Sequence, residues 1–387
     1  MAQPSLNKYQ VLPVETRRQW KDFFDLRRFI YRDDPNVVYP LRFMEKTNLD
    51  TNKHPFYEHA TRQPFICYEN GKAIGRIVAI KDDLHNEHYQ DQVGFFGFFE
   101  CIDNKQVAEA LLDRASEWLI EQGCNVVRGP VNPSMKSDFG VLVHGNDDPP
   151  IVMMGYTPKY YEDLLMSNGF SVVREFNAYL YDIPTMYEDV MANEEKLLSV
   201  TRRVLERYPM LRIGNVNRST IDKELRAINT LGNSVRASGW GFVPLTHAEL
   251  DFMVKQLKKV LKPETLLVAY WEDQLVGYCV NVPCVNWALR KSVGRYDWMR
   301  IPQFLYWIRK TPRSRVIGLG ADEAFRKRGV GVLLSTEMRY RGTRDLNIQQ
   351  WEFSWIDAQN EASIRAVGRT MPLDHYKTLR LYDKAIG

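Results

Sequence analysis

Two stretches of this chain carry the same order of secondary-structure signals, and that internal repeat limits the fold more than any other feature. In the first, Phe65–Tyr68 and Ala73–Ile80 have strand character, and Asn70-Gly71 between them is a two-residue hairpin turn. Gly94–Glu100 follows as an aromatic strand. Along Lys105–Glu121, Val107, Ala108, Leu111, Leu112, Ala115, Trp118 and Leu119 recur at helical spacing, and Gly123 stops the helix. Asn125–Arg128 reads as a short strand, Tyr160–Asn168 as a helix and Phe170–Tyr181 as a strand. In the second stretch, Leu266–Trp271 and Leu275–Val282 form a hairpin around Glu272-Asp273. Arg315–Gly320 is then a strand, Val330–Tyr340 a helix, Gln350–Ser354 a strand, Ala362–Arg369 a helix and Tyr376–Asp383 a closing strand. Ile74-Gly75 and Val276-Gly277 hold the same place in their hairpins.

The expected fold class is therefore α/β, with two tandem domains, each a central mixed sheet flanked by helices. A chain of 387 residues exceeds one core of ordinary size. The expected domains are 1–183 and 209–387, joined by a charged helix, Thr185–Tyr208, within 184–208. The second half carries an extra segment, Asn286–Ser314.

A composition 44% hydrophobic and 26% charged can build both cores. The net charge of +4, from 52 basic and 48 acidic residues, is too small to indicate a nucleic-acid partner. The five cysteines form no CxxC pair and no His/Cys cluster with zinc spacing, so no metal is expected. The polar N-terminus lacks a signal sequence, and no apolar run approaches the roughly 20 residues of a membrane helix. The expected location is cytoplasmic, with at most peripheral attachment at the inner membrane surface.

The stretch from Arg315 to Gly331 carries the main chemical signal. A strand leads through a basic, glycine-bearing turn into a helix. Backbone N–H groups at a helix N-terminus, reinforced by the helix dipole, suit a pyrophosphate. Gly329 and Gly331 let the backbone approach the phosphates, while Arg326, Lys327 and Arg328 add positive charge. Gly318 and Gly320 inside the strand mark a bulge or a close backbone approach. Such a strand can part from its neighbour and offer its free N–H and C=O groups to an amide-bearing ligand.

The Arg326-x-x-Gly329-x-Gly331 spacing between strand and helix resembles the pyrophosphate motif of the acyl-CoA N-acyltransferase superfamily, GNAT. The resemblance implies acyl-CoA as co-substrate, held by Leu319, Gly320, Ala321, Arg326, Lys327, Arg328, Gly329, Val330 and Gly331. Asn360, after Trp355-Ile356-Asp357, matches an asparagine that supports the cofactor in many members; a plain helix N-cap is the equal alternative. Where members often have a general-acid tyrosine seven residues later, this chain has Val367, which puts that assignment in doubt. In the first half, Glu100-Cys101-Ile102-Asp103-Asn104-Lys105 stands at the loop position and has no glycine. One CoA site is expected, in the second half, with the first half shaping the acceptor pocket.

A further run, Gly75-Arg76-Ile77, His85-Asn86, Gly94–Glu100, Arg128-Gly129-Pro130-Val131-Asn132, Gly140–Val143, Pro149-Pro150 and Tyr160-Tyr161, resembles a group of bacterial tandem GNAT proteins of similar length. That group is similar to the bacterial ceramide synthases, which move a fatty acyl group from a thioester to the amine of a long-chain base. The resemblance implies direct acyl transfer from acyl-CoA to a primary amine, with a small-molecule or lipid acceptor. Rival readings are a non-catalytic acyl-CoA-binding or regulatory protein, which Val367 favours, and a tandem GNAT aminoacyltransferase.

Amide formation needs a proton acceptor and donors for the developing oxyanion. Glu100, at the end of an aromatic strand, is a candidate base; the same carboxylate can instead cap the helix at Lys105. Asn132 and Tyr161 are candidates to position an amine or carbonyl, and Tyr161 also suits a packing role. His85 has a suitable intrinsic pKa, but a surface-loop histidine is the commoner reading. In 286–314, large aromatics alternate with Arg and Lys. That pattern fits an element lying on anionic lipid, a lid over an acyl chain, or a helix packed on its domain.

Overall fold

The computed structural model describes residues 8–217, 219–360, 368 and 372–387. These form two compact units. The first comprises the chain to Glu175 together with Lys377–Gly387; the second is Phe176–Tyr376.

The first half runs β1 (Gln10–Pro13), α1 (Arg17–Ile30), α2 (Arg42–Asn48), β2 (Ala60–Glu69), β3 (Lys72–Asp82), α3 (Asp83–Tyr89), β4 (Val93–Cys101) and α4 (Lys105–Glu121). It continues through β5 (Val126–Gly129), β6 (Val131–Asn132), β7 (Asp138–Phe139), β8 (Val141–His144), α5 (Tyr161–Ser167) and β9 (Ser171–Asp182). The second half runs α6 (Tyr187–Arg207), β10 (Leu211–Asn215), α7 (Ile221–Arg236), α8 (His247–Leu257), β11 (Leu266–Trp271), β12 (Gln274–Pro283), α9 (Val285–Lys291) and α10 (Asp297–Trp307). It ends with β13 (Arg313–Ala321), α11 (Glu323–Arg326), α12 (Val330–Leu346), β14 (Gln350–Asp357) and β15 (Asp374–Ala385). The helix expected at 362–369 lies outside the described residues except for 368, and Val367 is among those outside.

Local chemistry explains the repeated elements. Asn70 and Gly71 take φ of 50° and 77°, the positive pair that a tight hairpin turn needs. The α4 helix is capped by Asn104, whose side chain accepts from Gln106 and Val107 N–H, so the cap expected of Glu100 belongs to Asn104.

In the first unit the strand order is β1-β2-β3-β4-β5-β15, with β8 also on β15; in the second it is β9-β14-β13-β12-β11-β10. The described pairings within each unit are antiparallel except β4 with β5 and β13 with β14. The halves exchange their last strands. Residues 176–182 of β9 pair with β14, and Lys377–Gly387 lies in the first unit because β15 pairs with β5 and β8. The sequence boundary at 183, and the range 209–387, therefore differ from the observed units at both exchanged strands. The helix read as a linker, α6, falls within the second unit.

Each unit packs one long helix onto its hairpin at the repeated glycine. A Cβ on Gly75 would lie 2.6 Å from Leu111 Cδ1 and 3.2 Å from Val107 Cγ1. A Cβ on Gly277 would lie 2.6 Å from Val330 Cγ1 and 3.1 Å from Leu334 Cδ1. In both units the helix presents residues i and i+4 to the glycine, and all four side chains are buried. Filling so close a contact forces the helix away from the sheet. Gly277→Ala should cost about 1–3 kcal/mol, read as a lower denaturation midpoint, and Val330→Ala in the same chain should recover part of it. An unchanged midpoint in the single variant would contradict this packing.

Candidate active site

The second unit opens a strand edge. Strand β13 pairs with β14 in register from Arg313↔Gln350 to Val316↔Phe353, and among the described residues no β13–β14 pair follows. On its other side β13 stays paired with β12 as far as Ala321, across a register shift that leaves Ile317 bulged out. Beyond Val316 the two strands part. Ile317, Gly318, Leu319 and Gly320 are all half-buried there. The bulge sits at Ile317 and not at a glycine. Gly318 and Gly320 serve a different contact, since a Cβ on either would lie 3.0 or 2.9 Å from the Tyr278 ring.

This open strand leads directly into the basic loop. Asp322 caps the short α11 helix by accepting from Ala324 N–H. Gly329, at φ 84°, is the N-cap of α12. Leu333 N–H donates to Gly329 C=O (3.0 Å), the first bond of the helix, so the preceding N–H groups have no partner within it. Around Gly331 a Cβ would meet nothing within 4 Å. Arg326 and Lys327 are exposed. Arg328 is half-buried, its guanidinium 4.6 Å from the centroids of both Trp271 and Phe325. The loop can thus present backbone donors, a helix dipole and positive charge to a phosphate group.

At the root of the opening lies a buried ion pair that the sequence reading missed. Arg315 and Glu352 face each other across the parallel register, Nε to Oε1 3.5 Å, at 2% and 0% side-chain exposure. Ser354 donates to Glu352 Oε1 and the Tyr376 phenol donates to Oε2. The Arg315 guanidinium also stacks 4.3 Å from the Trp355 ring centroid. Tyr376 is half-buried, so it connects a fully buried carboxylate to the surface of the unit. A lone acid between Trp351 and Phe353 in an apolar strand was the available signal, but the pairing with Arg315 depends on register.

The first unit has the same parting, between β4 and β5 after Phe95↔Arg128, and fills it with its own chain. A Cβ on Gly97 would lie 1.6 Å from Val131 C=O. Phe98 N–H donates to Asn132 Oδ1 (2.5 Å). Asn132 therefore holds the strand that a ligand would otherwise pair. Glu100 is buried, with Arg76 3.5 Å and Arg27 3.6 Å from Oε1. Tyr161 OH donates to Oε2 (2.9 Å) and accepts from Cys101 N–H (2.9 Å). Burial first, and the Glu100 charge second, push the Tyr161 phenol well above its ordinary range, so it remains a donor. The structure thus brings Glu100 and Tyr161 together in one buried cluster and places Asn132 two residues along the strand, at Phe98. His85 is buried in α3, not on a surface loop, and burial lowers its pKa.

Leu319 to Ala321 end β13, and Arg326 to Gly331 run from the last residue of α11 into the start of α12. Asn360 is exposed after β14, its N–H donating to Asp357 C=O (2.8 Å). Among the described residues no group of three or more His, Cys, Asp or Glu is placed to hold a metal, and no helix is long and apolar enough to cross a membrane.

Comparison with known proteins bears on this geometry. A tandem GNAT protein from the clavulanic acid biosynthesis pathway superposes over 98% of this chain and 99% of its own, with a TM-score of 0.53 at 10% identity. A GCN5-related N-acetyltransferase from Sphaerobacter thermophilus covers 98% and 96%, at 0.52 and 10%. This chain has the tandem GNAT fold. A GCN5-related glucosamine N-acetyltransferase region of a fungal multi-domain GH3 beta-N-acetylglucosaminidase gives a TM-score of 0.57 at 13% identity, over 97% of this chain and 38% of that longer protein. Among curated proteins the chain is 29% identical over 385 residues to a bacterial ceramide synthase of Caulobacter vibrioides, covering 97% of each. It is 28% identical over 379 residues to Protein YghO of Escherichia coli, covering 94% of this chain and 93% of that one. No protein-family model matches.

The two GNAT units differ where a nucleotide ligand would test them. Gly329 is a poor site for that test, because its positive φ and a Cβ 2.7 Å from Val204 Cγ2 would strain the fold. Gly331 has open space. Gly331→Glu should keep the thermal midpoint while weakening CoA binding by about tenfold or more in calorimetric titration, since it brings bulk and negative charge to the loop. Undiminished affinity would contradict a phosphate site there.

Proposed function

We propose that the protein is an N-acyltransferase that moves an acyl group from acyl-CoA to a primary amine, the acceptor being a long-chain lipid base. The observation that carries this reading is the parting of β13 from β14 after Val316, with no further β13–β14 pair among the described residues, on a strand that leads to the Arg326–Gly331 loop. On this reading Arg326, Lys327 and the amides of Gly329, Val330 and Gly331 hold the pyrophosphate, and Leu319, Gly320 and Ala321 line the pantetheine arm. The relative named as a ceramide synthase supports the lipid acceptor.

The reaction forms a C–N bond and breaks a C–S bond, and one proton passes from the amine nitrogen to the departing thiolate. Glu352 is the buried acceptor for that proton, and Tyr376, already donating to Glu352, is the relay that delivers one to sulfur. Arg315 holds the Glu352 charge in place. Deleting either member of that buried pair costs about 3–5 kcal/mol, so stability would obscure the result. Tyr376→Phe removes one hydroxyl only.

The test is incubation with acyl-CoAs of graded chain length and a panel of amines, following amide by mass spectrometry and thiol release by absorbance. Amide should form with long-chain bases, and Tyr376→Phe should lower kcat by about 10²-fold with little change in KM for acyl-CoA. Thiol release that no amine accelerates would overturn the reading in favour of an acyl-CoA-binding protein.

A further inference from the structure

The insertion between β12 and β13 turns its apolar residues outward. Trp298 is 73% exposed, and Met299, Leu305 and Tyr306 of α10 are exposed with it, as are Val293 and Tyr296 just before the helix. Positions 298, 302 and 305, and 299 and 306, recur at helical spacing, so one stripe of α10 is apolar and open to solvent. One charged residue of the helix, Arg300, is turned inward instead. Arg300 is buried and donates through Nε to Ser292 C=O (3.1 Å) and through Nη2 to Leu289 C=O (3.5 Å), at the C-terminal end of α9. Gln303 donates to Val293 C=O (2.8 Å) and accepts from Val293 N–H (3.2 Å), which fixes the loop beside α10. Polar anchors on the inner side hold this outward display in place.

The segment that carries the stripe is mostly basic. Arg290, Lys291, Arg295, Arg309 and Lys310 are exposed, and Asp297 is the single acid between 285 and 310. Lys310 lies over the Tyr306 ring (4.3 Å) and Arg295 over Tyr296 (5.5 Å), each pairing a cation with an amphipathic ring. We propose that this face docks the protein on an anionic bilayer. Leu305, Met299 and Trp298 would enter the acyl boundary, Tyr296 and Tyr306 would sit at headgroup depth, and the basic rim would meet lipid phosphates. A second copy of the chain suits the face poorly, because the rims would bring like charges together.

The placement suits the proposed reaction, although docking does not depend on it. Strand β13 runs from the end of the insertion to the phosphate loop, nine residues at roughly 3.3 Å each, or about 30 Å. The insertion thus joins β13 at the end opposite the phosphate loop.

The test is sedimentation of the full chain with vesicles of phosphatidylcholine alone or mixed with phosphatidylglycerol, alongside light scattering without lipid. Binding should require phosphatidylglycerol and weaken with salt. It should fall at least about tenfold in Trp298→Ser/Leu305→Ser and in Arg295→Gln/Lys310→Gln. These side chains are exposed, and an unchanged thermal midpoint would confirm the fold. Three outcomes would each overturn the proposal: no binding to mixed vesicles, equal binding by both variants, or self-association without lipid that Trp298→Ser/Leu305→Ser abolishes. Acyl transfer is read separately, so its failure would leave this result standing.

Discussion

Everything proposed for the second unit depends on one strand being paired on both sides for part of its length and on one side thereafter. Up to Val316 the backbone groups of β13 are taken up by β12 and β14; beyond it, β12 is the one paired strand among the described residues. A half-buried strand edge is costly to leave without hydrogen-bond partners, and a ligand with spaced amides is the natural complement. The same parting leaves Arg315 and Glu352 facing each other at its root, where burial makes the pair strong and costly to break. Opening, loop and ion pair follow from one change in strand pairing.

The first unit shows the same parting closed by the protein's own chain. Its hairpin, its helix and its glycine contact match those of the second unit, down to Val107 and Leu111 against Gly75. Yet Val131 and Asn132 occupy the parted strands, and Glu100 stands at the position equivalent to Gly320, judged by the partners Arg76 and Tyr278 one residue past the repeated glycine. The side chains there pair with one another: Arg27 and Arg76 form ion pairs with Glu100, and Tyr161 bonds both Glu100 and Cys101 N–H. One architecture thus carries parted strands in both copies, filled by Val131 and Asn132 in the first.

Much of this was legible in the sequence where the signal is local. Asn70-Gly71 specifies a turn by its backbone preferences, the α4 periodicity fixes a buried face, and the glycines of 329–331 mark a helix start. What stayed hidden depends on partners distant in the chain. The exchange of β9 and β15 leaves no mark on either strand's own pattern, because each is apolar in the same way wherever it pairs. Gly318 and Gly320 pointed to a bulge, whereas the shift falls at Ile317 and the glycines accommodate Tyr278. Glu352 and Tyr376 became visible only when a parallel register set Arg315 opposite Glu352. The α1 helix went unread despite the Thr16 and Gln19 capping box, a short signal without a strong repeat behind it.

The most direct measurement of the central claim is hydrogen exchange of backbone amides in the full chain, with and without saturating CoA. The account predicts slower exchange at Ile317–Gly320 and at Val330–Val332 when CoA is present, with Gly97 and Phe98 unchanged because their groove is already filled. Ligand-dependent protection at Gly97 and Phe98, or none along Ile317–Gly320, would contradict it.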